Sequence, residues 1–368
     1  MSYITSIGIA SPAHRFDQST IAGFMEQGMD LDVAGKRKLK AIFRASGIET
    51  RYSVLEDFGQ PQGHHVFNNQ NESIAFPTTQ QRLKLYRKYA LPLALQAVDR
   101  CFENLNEQTL ASITHLIVVS CTGMYAPGLD IDLVKSLRLR DEVQRTCINF
   151  MGCYAAFNGL KIADALCKAN PAARVLVVCV ELCTLHFQRE GTDDNLLANA
   201  LFADGASAML VSSTPARGWN LMPEQFHNGL AINGQEHMAW TIGDFGFEMK
   251  LSSYVPEVIR SGIRQLTNTM LQRVNKQLDE IKHFAIHPGG KKILEAIEDE
   301  LDLSPEQNEP AYAVLKDYGN MSSVTIAFVL KQILNRLTQD DQHQQILGFA
   351  FGPGLTLESI MLKTEHHA

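Results

Sequence analysis

Cys153 lies where a strand-like run of residues gives way to a helical one. The segment "RTCINF" comes before it, and apolar residues recur at helical spacing in "YAAFNGLKIADALCK" after it. A thiol at a helix N-terminus faces free backbone amides and the positive end of the helix dipole, which lower its pKa and favour the reactive thiolate. Gly152 carries no Cβ, so a substrate or a strained turn can come close. The pattern predicts a nucleophile, and the alternative is a small buried core cysteine.

His287 and Asn320 are the candidate partners of such a nucleophile. A reactive cysteine requires a base or a cation, and a third group that holds it in place. His287 ends the apolar run "HFAIHP" and is followed by Gly289 and Gly290, so we expect its imidazole at the carboxyl end of a strand, where ligands gather in open α/β sheets. Asn320 in "YGNMSS" precedes a helical run, and its amide can donate to an oxyanion or an enolate without titrating. The structural alternatives are a turn histidine and a helix-capping asparagine.

Strands and helices alternate along the chain around these residues. Apolar runs predict strands at 115–120, 174–182, 207–213, 283–288 and 346–352. Helical spacing recurs at 87–105, 155–168, 257–278 and 323–337. The predicted fold class is therefore α/β.

The two halves of the chain repeat one order of elements. In each, a long helix leads to a strand, a candidate residue marks the start of a second helix, and two further strands follow. We predict a duplicated unit, with one half at 1–215 and the other at 216–368. The division falls in the segment 215–240, which is rich in turn-forming residues.

Composition narrows the class of protein. The chain has 368 residues, of which 45% are hydrophobic and 20% charged, as is typical of globular proteins. The formal net charge of -7 gives no support for a nucleic-acid partner, and no segment has the length and apolar character of a membrane span. Seven cysteines lack the paired spacing of a metal site, and the N-terminus lacks the pattern of a signal peptide. We expect reduced thiols, no metal and a cytoplasmic location.

Four motifs together resemble the type III polyketide synthases, the chalcone-synthase-like branch of the thiolase superfamily. They are "GCYAAF" at Cys153, "HPGGKKIL" at His287, "YGNMSS" at Asn320 and "GFAFGPGLTLE" near the C-terminus. The resemblance runs over nearly the whole chain, with the motifs in the family's order. It implies a thiolase-like five-layered αβαβα fold made of two duplicated halves, and a homodimer.

The resemblance also implies roles for the three residues. Cys153 would accept the acyl group, and His287 would pair with its thiolate. His287 and Asn320 would bind the thioester carbonyl of malonyl-coenzyme A and stabilise the enolate that decarboxylation leaves. The substrates would be acyl- and malonyl-coenzyme A thioesters, with no permanently bound cofactor.

The same resemblance marks positions that shape the substrate cavity. An aromatic gatekeeper of the family is matched in "LFADG", and a methionine in "GFEMK" stands where a second gatekeeper is usually phenylalanine. Two cysteines replace threonines and an alanine replaces a methionine, as in bacterial members that accept long acyl starters through an extra tunnel. This implies a fatty acyl starter and alkylpyrone or alkylresorcinol products. The positions are Phe202, Met249, Cys121, Cys183, Ala126 and Gly290.

The basic run "GKRKLKAIFR" has two interpretations. On a helix, such a run is most often a solvated face. In the resemblance it is the docking patch for the phosphates of coenzyme A, although Ala41 and Ala45 take two of the family's basic positions. The cations that remain are Lys36, Lys38, Lys40 and Arg44. An acyl carrier protein is the other candidate donor.

The nearest alternative is an enzyme of the ketoacyl synthase III type, which also uses Cys, His and Asn but performs a single condensation. Its histidine loop reads His-Gln-Ala-Asn, whereas this chain has His-Pro-Gly-Gly at 287–290. An HMG-CoA-synthase-like role would want a carboxylate as general acid in the cavity. A papain-type hydrolase places its cysteine near the mature N-terminus in a different context. A non-catalytic scaffold of the same fold would be expected to lose one of the three residues, and all three are present.

Overall fold

Helices and strands alternate through the structure, as the sequence predicts. The structure, a computed structural model, describes residues 1–60, 65–67, 76–103, 105, 107–230, 237–252 and 254–368. The strands are β1 (Tyr3–Ala10), β2 (His14–Asp17), β3 (Thr50–Ser53), β4 (His115–Ser120), β5 (Gln144–Asn149), β6 (Arg174–Leu182), β7 (Asp204–Ser212), β8 (Gly218–Leu230), β9 (Met238–Gly243), β10 (Gly246–Leu251), β11 (His283–Ile286), β12 (Gln345–Gly352) and β13 (Thr356–His367). The helices are α1 (Gln18–Gly28), α2 (Val33–Ala45), α3 (Thr79–Phe102), α4 (Glu107–Ala111), α5 (Leu129–Ser136), α6 (Ala155–Ala169), α7 (Asp193–Leu201), α8 (Val255–Val274), α9 (Lys291–Leu301), α10 (Glu309–Tyr318) and α11 (Thr325–Leu334).

One hydrogen-bonded sheet of nine strands runs through both halves, in the order β11-β12-β13-β8-β1-β7-β6-β4-β5. In the first half, β1, β7 and β6 are antiparallel neighbours, and β4 joins β6 in parallel. In the second half, β8, β13 and β12 are antiparallel neighbours, and β11 joins β12 in parallel. The halves meet where Ile4 of β1 pairs with Leu221 of β8. The repeated strand order is the one expected of a duplicated unit.

Two helices lie between the halves. Ile117 and Val119 of β4 belong to the core that contains α6, whereas Leu116 and Val118 point to the opposite face and pack in the core that contains α3. Helix α6 also contacts β13, and α11 contacts β1 and β7, so each of them touches strands of the other half. Helix α8 packs on β8 and β13. The arrangement agrees with the expected alternation of helical and sheet layers.

The segment 215–240 is not the turn-rich break that the sequence predicts, because half of it forms β8. This strand pairs with β13 along its whole length. Pro223 is tolerated because it lies at a register shift opposite Met361 and Leu362, where a missing backbone N–H costs little. The rest of the segment includes residues 231–236, which lie outside the described residues. The boundary at 215 and 216 therefore stays a prediction.

A hairpin of β9 and β10 was missed by the sequence patterns. It pairs Met238 with Leu251 and Trp240 with Met249 in a separate two-stranded sheet. The hairpin carries Met249, one of the predicted cavity residues, and so belongs to the site. Within the described ranges, no helix combines the length and apolar character that crossing a membrane requires.

Candidate active site

The turn that presents Cys153 is built by two residues with left-handed backbone. Phe150 has φ 63° and Gly152 has φ 83°, so the chain reverses sharply between β5 and the start of α6 at Ala155. A Cβ on Gly152 would lie 2.2 Å from Cδ of Pro353, in the loop between β12 and β13. Gly152 therefore makes room for the second half of the chain, and Cys153 lies at a helix N-terminus as predicted.

The structure brings the three predicted residues together around one cavity, which we call the central cavity. Cys153 comes from the start of α6, His287 from the end of β11, and Asn320 from the loop before α11. The first half thus supplies the thiol, and the second half supplies the imidazole and the amide. The full lining is Cys153, Phe202, Met238, Met249, Leu251, His287, Gly289, Ile293, Asn320, Phe351 and Pro353.

His287 is held by its backbone and leaves its ring available. Its N–H donates to the carbonyl of Phe349 at 2.8 Å, which continues the pairing of β11 with β12. Neither ring nitrogen has a hydrogen-bond partner among the described residues, although the side chain is only 1% exposed. Burial lowers the pKa of His287 to about 3, so the imidazole is neutral at physiological pH. A neutral ring with two unpaired nitrogens can accept a proton or donate to a ligand.

The prediction that the helix N-terminus lowers the pKa of Cys153 is wrong. Burial raises the pKa of this thiol to about 12 and outweighs hydrogen bonds from Ser322 and Asn320, which lower it. The carboxylate of Glu181 raises it further. At neutral pH a neutral thiol and a neutral imidazole therefore line the same cavity.

The side chain of Asn320 is oriented by its neighbours. Its Oδ1 accepts from the backbone N–H of Ser322 at 2.8 Å, which fixes the orientation of the amide and leaves Nδ2 as its donor end. Nδ2 donates to the carbonyl of Gly289 at 3.3 Å, and its second hydrogen can serve the Cys153 sulfur or a ligand next to it. The backbone of Asn320 pairs with Leu201 and Ala203 at 2.9 Å each. An oriented donor of this kind suits a developing negative charge on oxygen.

Two further cavities adjoin the central one. Phe202 and Met249 line both the central cavity and an inner cavity, whose walls include Phe58, Cys183 and Phe247. Leu251, Gly289 and Ile293 line both the central cavity and an outer cavity, which reaches Ile42 and Ala45 of α2. The predicted gate residues therefore stand between the central and inner cavities, and Gly290 lies on the outer one.

The sequence profiles of known families decide which family this arrangement represents. Residues 1–215 match the sequence profile of the family "Chalcone and stilbene synthases, N-terminal domain". Residues 227–365 match the profile of "Chalcone and stilbene synthases, C-terminal domain". The chain belongs to the chalcone and stilbene synthase family. Chalcone and stilbene synthases of this kind are type III polyketide synthases, so the predicted family is confirmed and the chain is a decarboxylating, condensing acyltransferase.

Individual relatives agree with this assignment. The chain is 29% identical to "Alpha-pyrone synthesis polyketide synthase-like Pks18" of Mycobacterium tuberculosis over 98% of this chain and 91% of that protein. It is 31% identical to "Probable polyketide synthase 1" of Dictyostelium discoideum over 98% of this chain, but it spans only 11% of that longer protein. The C-terminal type III polyketide synthase domain of Steely1, a type I/III hybrid from Dictyostelium, superposes with a TM-score of 0.88 at 31% identity, covering 98% of this chain and 99% of that domain. This structural similarity confirms the thiolase-like fold.

Glu181 is a residue of this polyketide synthase site that the sequence analysis missed. It is fully buried, and its Oε2 accepts from the backbone N–H of Cys121 at 3.0 Å and from Thr122 Oγ1 at 2.9 Å. Ser323 donates to Oε1. Burial raises the pKa of Glu181 to about 7, so it exchanges a proton near physiological pH. The signal was present in the sequence, because a lone acidic residue interrupts the apolar strand "VLVVCVEL".

The structure places three of the residues that were predicted to shape the cavity in three different surroundings. Cys183 lines the inner cavity, as predicted. Cys121 does not line the central cavity but braces the turn beneath it, because its sulfur accepts from the N–H of Gly152 at 2.9 Å. Ala126 lies on an exposed loop beside a separate cavity with Tyr125, so within one chain it does not reach the central cavity.

The predicted coenzyme patch lies beside the outer cavity rather than on its wall. Lys38 pairs with Asp193, and Lys40 pairs with Glu26 at 2.8 Å. Lys36 and Arg44 form no ion pair within the described chain. The cations that line the outer cavity are Lys291 and Lys292, from the "HPGGKKIL" motif. Among the residues that the structure describes, no cluster of three or more His, Cys, Asp or Glu residues could hold a metal ion.

Proposed function

We propose that this type III polyketide synthase loads a long-chain fatty acyl starter on Cys153, extends it with malonyl-coenzyme A and cyclises the product to an alkylpyrone or alkylresorcinol. The observation that carries the proposal is the inner cavity behind Phe202 and Met249, whose walls are largely apolar. A chain attached to Cys153 has this space beyond the central cavity. The similarity to a relative named for alpha-pyrone synthesis supports the pyrone product.

Loading begins from the neutral pair of Cys153 and His287. An unpaired ring nitrogen of His287 accepts the thiol proton as the sulfur attacks the thioester carbonyl of the starter. The bond between the carbonyl carbon and the coenzyme sulfur then breaks, and the leaving thiolate takes the proton from the imidazolium. The acyl group is left on Cys153 and His287 returns to its neutral form.

Extension uses the two donors of the second half. The thioester oxygen of malonyl-coenzyme A accepts from His287 and from Nδ2 of Asn320 while the carboxylate leaves as carbon dioxide. The electron pair becomes an enolate, which forms a carbon–carbon bond with the acyl carbon and releases Cys153. Each oriented donor at that oxygen contributes about 3 kcal/mol of transition-state stabilisation. The extended thioester can then return to Cys153 for another cycle.

The remaining proposals concern binding partners and location. Lys291 and Lys292, with the basic face of α2, are proposed to hold the phosphates of coenzyme A, and an acyl carrier protein is the alternative donor. A homodimer is proposed through β5. This is an edge strand whose residues Gln144–Cys147 are exposed, and exposed Met151 lies next to it.

A reducing, cytoplasmic location is proposed because all seven cysteines are free thiols.

The starter is tested by mass spectrometry of products from malonyl-coenzyme A and acyl-coenzyme A starters from acetyl to palmitoyl. We expect pyrones or resorcinols whose yield is largest with long starters, and no product from Cys153→Ala. A single β-keto extension would move the assignment to the ketoacyl synthase III alternative.

The inner cavity is tested by Cys183→Phe. The larger ring would fill the space behind the gate, so we expect at least a tenfold loss of turnover with palmitoyl-coenzyme A and little change with acetyl-coenzyme A. Cys179→Val is the control. Cys179 is a buried cysteine of β6 that lines none of the three cavities, so its substitution reports the effect of a core change alone. Equal loss with both starters in Cys183→Phe alone would overturn the assignment of this cavity to the acyl chain.

A further inference from the structure

Helix α7 ends at the gate residue Phe202 with four carbonyls that have no partner inside the helix. The last intrahelical bond runs from the N–H of Phe202 to Ala198, so the carbonyls of residues 199, 200, 201 and 202 need other donors. Each of the four has one. Arg51 Nη1 donates to Asn199 at 2.9 Å and to Phe202 at 2.6 Å, and Gln18 Nε2 donates to Ala200 at 2.8 Å.

The donor to the remaining carbonyl, that of Leu201, is Asn320, the proposed enolate donor. The backbone N–H of Asn320 donates to Leu201, and the carbonyl of Asn320 accepts from Ala203, so the two segments form an isolated parallel bridge at Phe202 and Asn320. The gate residue and the proposed enolate donor thus share one backbone bridge. A displacement of residues 201–203 moves Phe202 directly and reaches Asn320 only through this bridge.

Arg51 is the charged member of this capping set. It is 3% exposed, its Nε donates to Gln18 Oε1 at 2.8 Å, and a guanidinium at a helix C-terminus is stabilised by the dipole. Gly319 makes room for it, because a Cβ there would lie 2.9 Å from both Arg51 Cδ and the carbonyl of Leu201. The glycine of "YGN" is therefore required by the contact between Arg51 and the bridge.

Stability alone does not account for an arginine at this place. Its Nη2 is buried and has no hydrogen-bond partner in the described part of the chain, and the carboxyl of Asp204 offsets only part of the burial that lowers the pKa of Arg51 to about 9. A buried cation with an unsatisfied group is often matched or exceeded in stability by an apolar side chain of similar volume. The two carbonyl contacts, by contrast, hold the last turn of α7 at Asn199 and fix the carbonyl of Phe202, which an apolar side chain would not do.

We propose that Arg51 is a positioning residue that fixes Phe202 against Asn320, so that an acyl chain behind the gate is aligned with the enolate formed beside it. The inference rests on the proposed roles of Phe202 and Asn320. Asn320 keeps its own contacts to Ser322 and Gly289 when Arg51 is lost, whereas Phe202 loses the donor to its carbonyl. Loss of Arg51 therefore impairs condensation more than decarboxylation.

The test measures the partition of malonyl-coenzyme A. Each condensation consumes an enolate, whereas an enolate that is not captured takes a proton and leaves as acetyl-coenzyme A. We expect Arg51→Met to lower the ratio of polyketide extension to acetyl-coenzyme A release at least tenfold. Arg51→Lys recovers part of the ratio because its ammonium still donates at the helix C-terminus. Gln18→Met, which leaves the charge in place, lowers the ratio less, by about threefold.

Arg82→Met is the matched control for loss of a buried arginine. Arg82 also donates to backbone carbonyls, those of Pro77, Leu185 and Phe187, and its Nη2 is likewise unpaired among the described residues, but its bonds reach neither Phe202 nor Asn320. We expect it to lower the melting temperature while leaving the ratio within twofold of the wild-type value.

The outcomes separate the two proposals. A wild-type protein that makes no polyketide from any starter overturns the proposed function. A productive wild-type protein, with an unchanged ratio in Arg51→Lys, Gln18→Met and folded Arg51→Met, overturns the positioning role of Arg51. If Arg51→Met does not fold, the lysine and Gln18 variants decide the result by themselves.

Discussion

The two halves present their functional residues in the same way and use them differently. Cys153 follows Gly152 with φ 83°, and Asn320 follows Gly319 with φ 70°. The missing Cβ of Gly152 makes room for Pro353 of the second half, and that of Gly319 makes room for Arg51 of the first half. One turn carries a thiol that must ionise, and the other carries an amide that never does. Each half therefore depends on the other for the shape of the turn that presents its functional residue.

The largest effects should come from filling the space at the two glycines. Gly152→Ala places a Cβ 2.2 Å from Pro353 Cδ, and Gly319→Ala places one 2.9 Å from Arg51 Cδ and from the carbonyl of Leu201. We expect both to lower the free energy of unfolding by about 2–5 kcal/mol, from backbone strain plus overpacking, and Gly152→Ala by more. Thermal unfolding and polyketide yield measure the effect.

Gly218→Ala separates the two causes of that loss. Gly218 has φ 93°, but nothing lies within 4 Å of a Cβ built there. We expect only the cost of the left-handed backbone, about 1 kcal/mol, with activity retained. A loss in Gly218→Ala as large as that in Gly152→Ala would mean that the contact between the halves contributes nothing.

A smaller effect, confined to chemistry, is expected of Asn320→Ala. Removal of one oriented donor should slow release of acetyl-coenzyme A from malonyl-coenzyme A about 100-fold. Asn335→Ala, just after the other end of α11, is the control for loss of an asparagine that flanks the same helix. Decarboxylation at the wild-type rate in Asn320→Ala would remove the amide from the mechanism.

The smallest effect concerns the charge beneath Cys153. Because Glu181 raises the pKa of the Cys153 thiol, Glu181→Gln should lower it and speed alkylation by iodoacetamide about threefold at pH 8. The pKa of Glu181 itself is about 7, so below pH 7 the wild-type carboxyl is neutral and the two proteins should converge. A difference that persists unchanged at pH 5.5 would show that the substitution acts through packing rather than charge. Thr122→Val removes a hydrogen bond that lowers the pKa of Glu181, so it should move the pH at which the two rates converge upward.

Sequence patterns were sufficient for the parts of this fold that depend on local periodicity. The buried strands at 115–120 and 174–182 and the helix after Cys153 have uniform apolar patterns, so their positions were predicted well. The strand β8 was missed because its burial is partial and its Pro223 lies at a bulge that only the partner strand β13 defines. The hairpin of β9 and β10 was missed for a similar reason, since it packs on the helices α7 and α3 and on short helical turns rather than on the nine-stranded sheet.

At the site, too, local patterns predicted the residues but not the properties that depend on long-range contacts. The candidates Cys153, His287 and Asn320 could be chosen from motifs, because each stands at the junction of two recognisable elements. The direction of the Cys153 pKa shift could not, because burial and the proximity of Glu181 arise from packing between distant segments. The role of Arg51 could not be predicted from the sequence for the same reason, since its partners Gln18, Asn199 and Phe202 are distant along the chain. Long-range contacts therefore set the energies at a site whose residues local patterns could name.

The most direct test of the division of labour is the fate of malonyl-coenzyme A in Cys153→Ala. This variant removes the acyl acceptor of the first half and leaves His287 and Asn320 of the second half in place. The account predicts that polyketide formation is lost, while acetyl-coenzyme A release continues at roughly a tenth of the wild-type rate or more. Some decrease in that rate is expected because the smaller side chain changes the shape of the cavity. Release in Cys153→Ala as low as in Asn320→Ala, from a folded protein, would contradict the assignment of enolate formation to the second half.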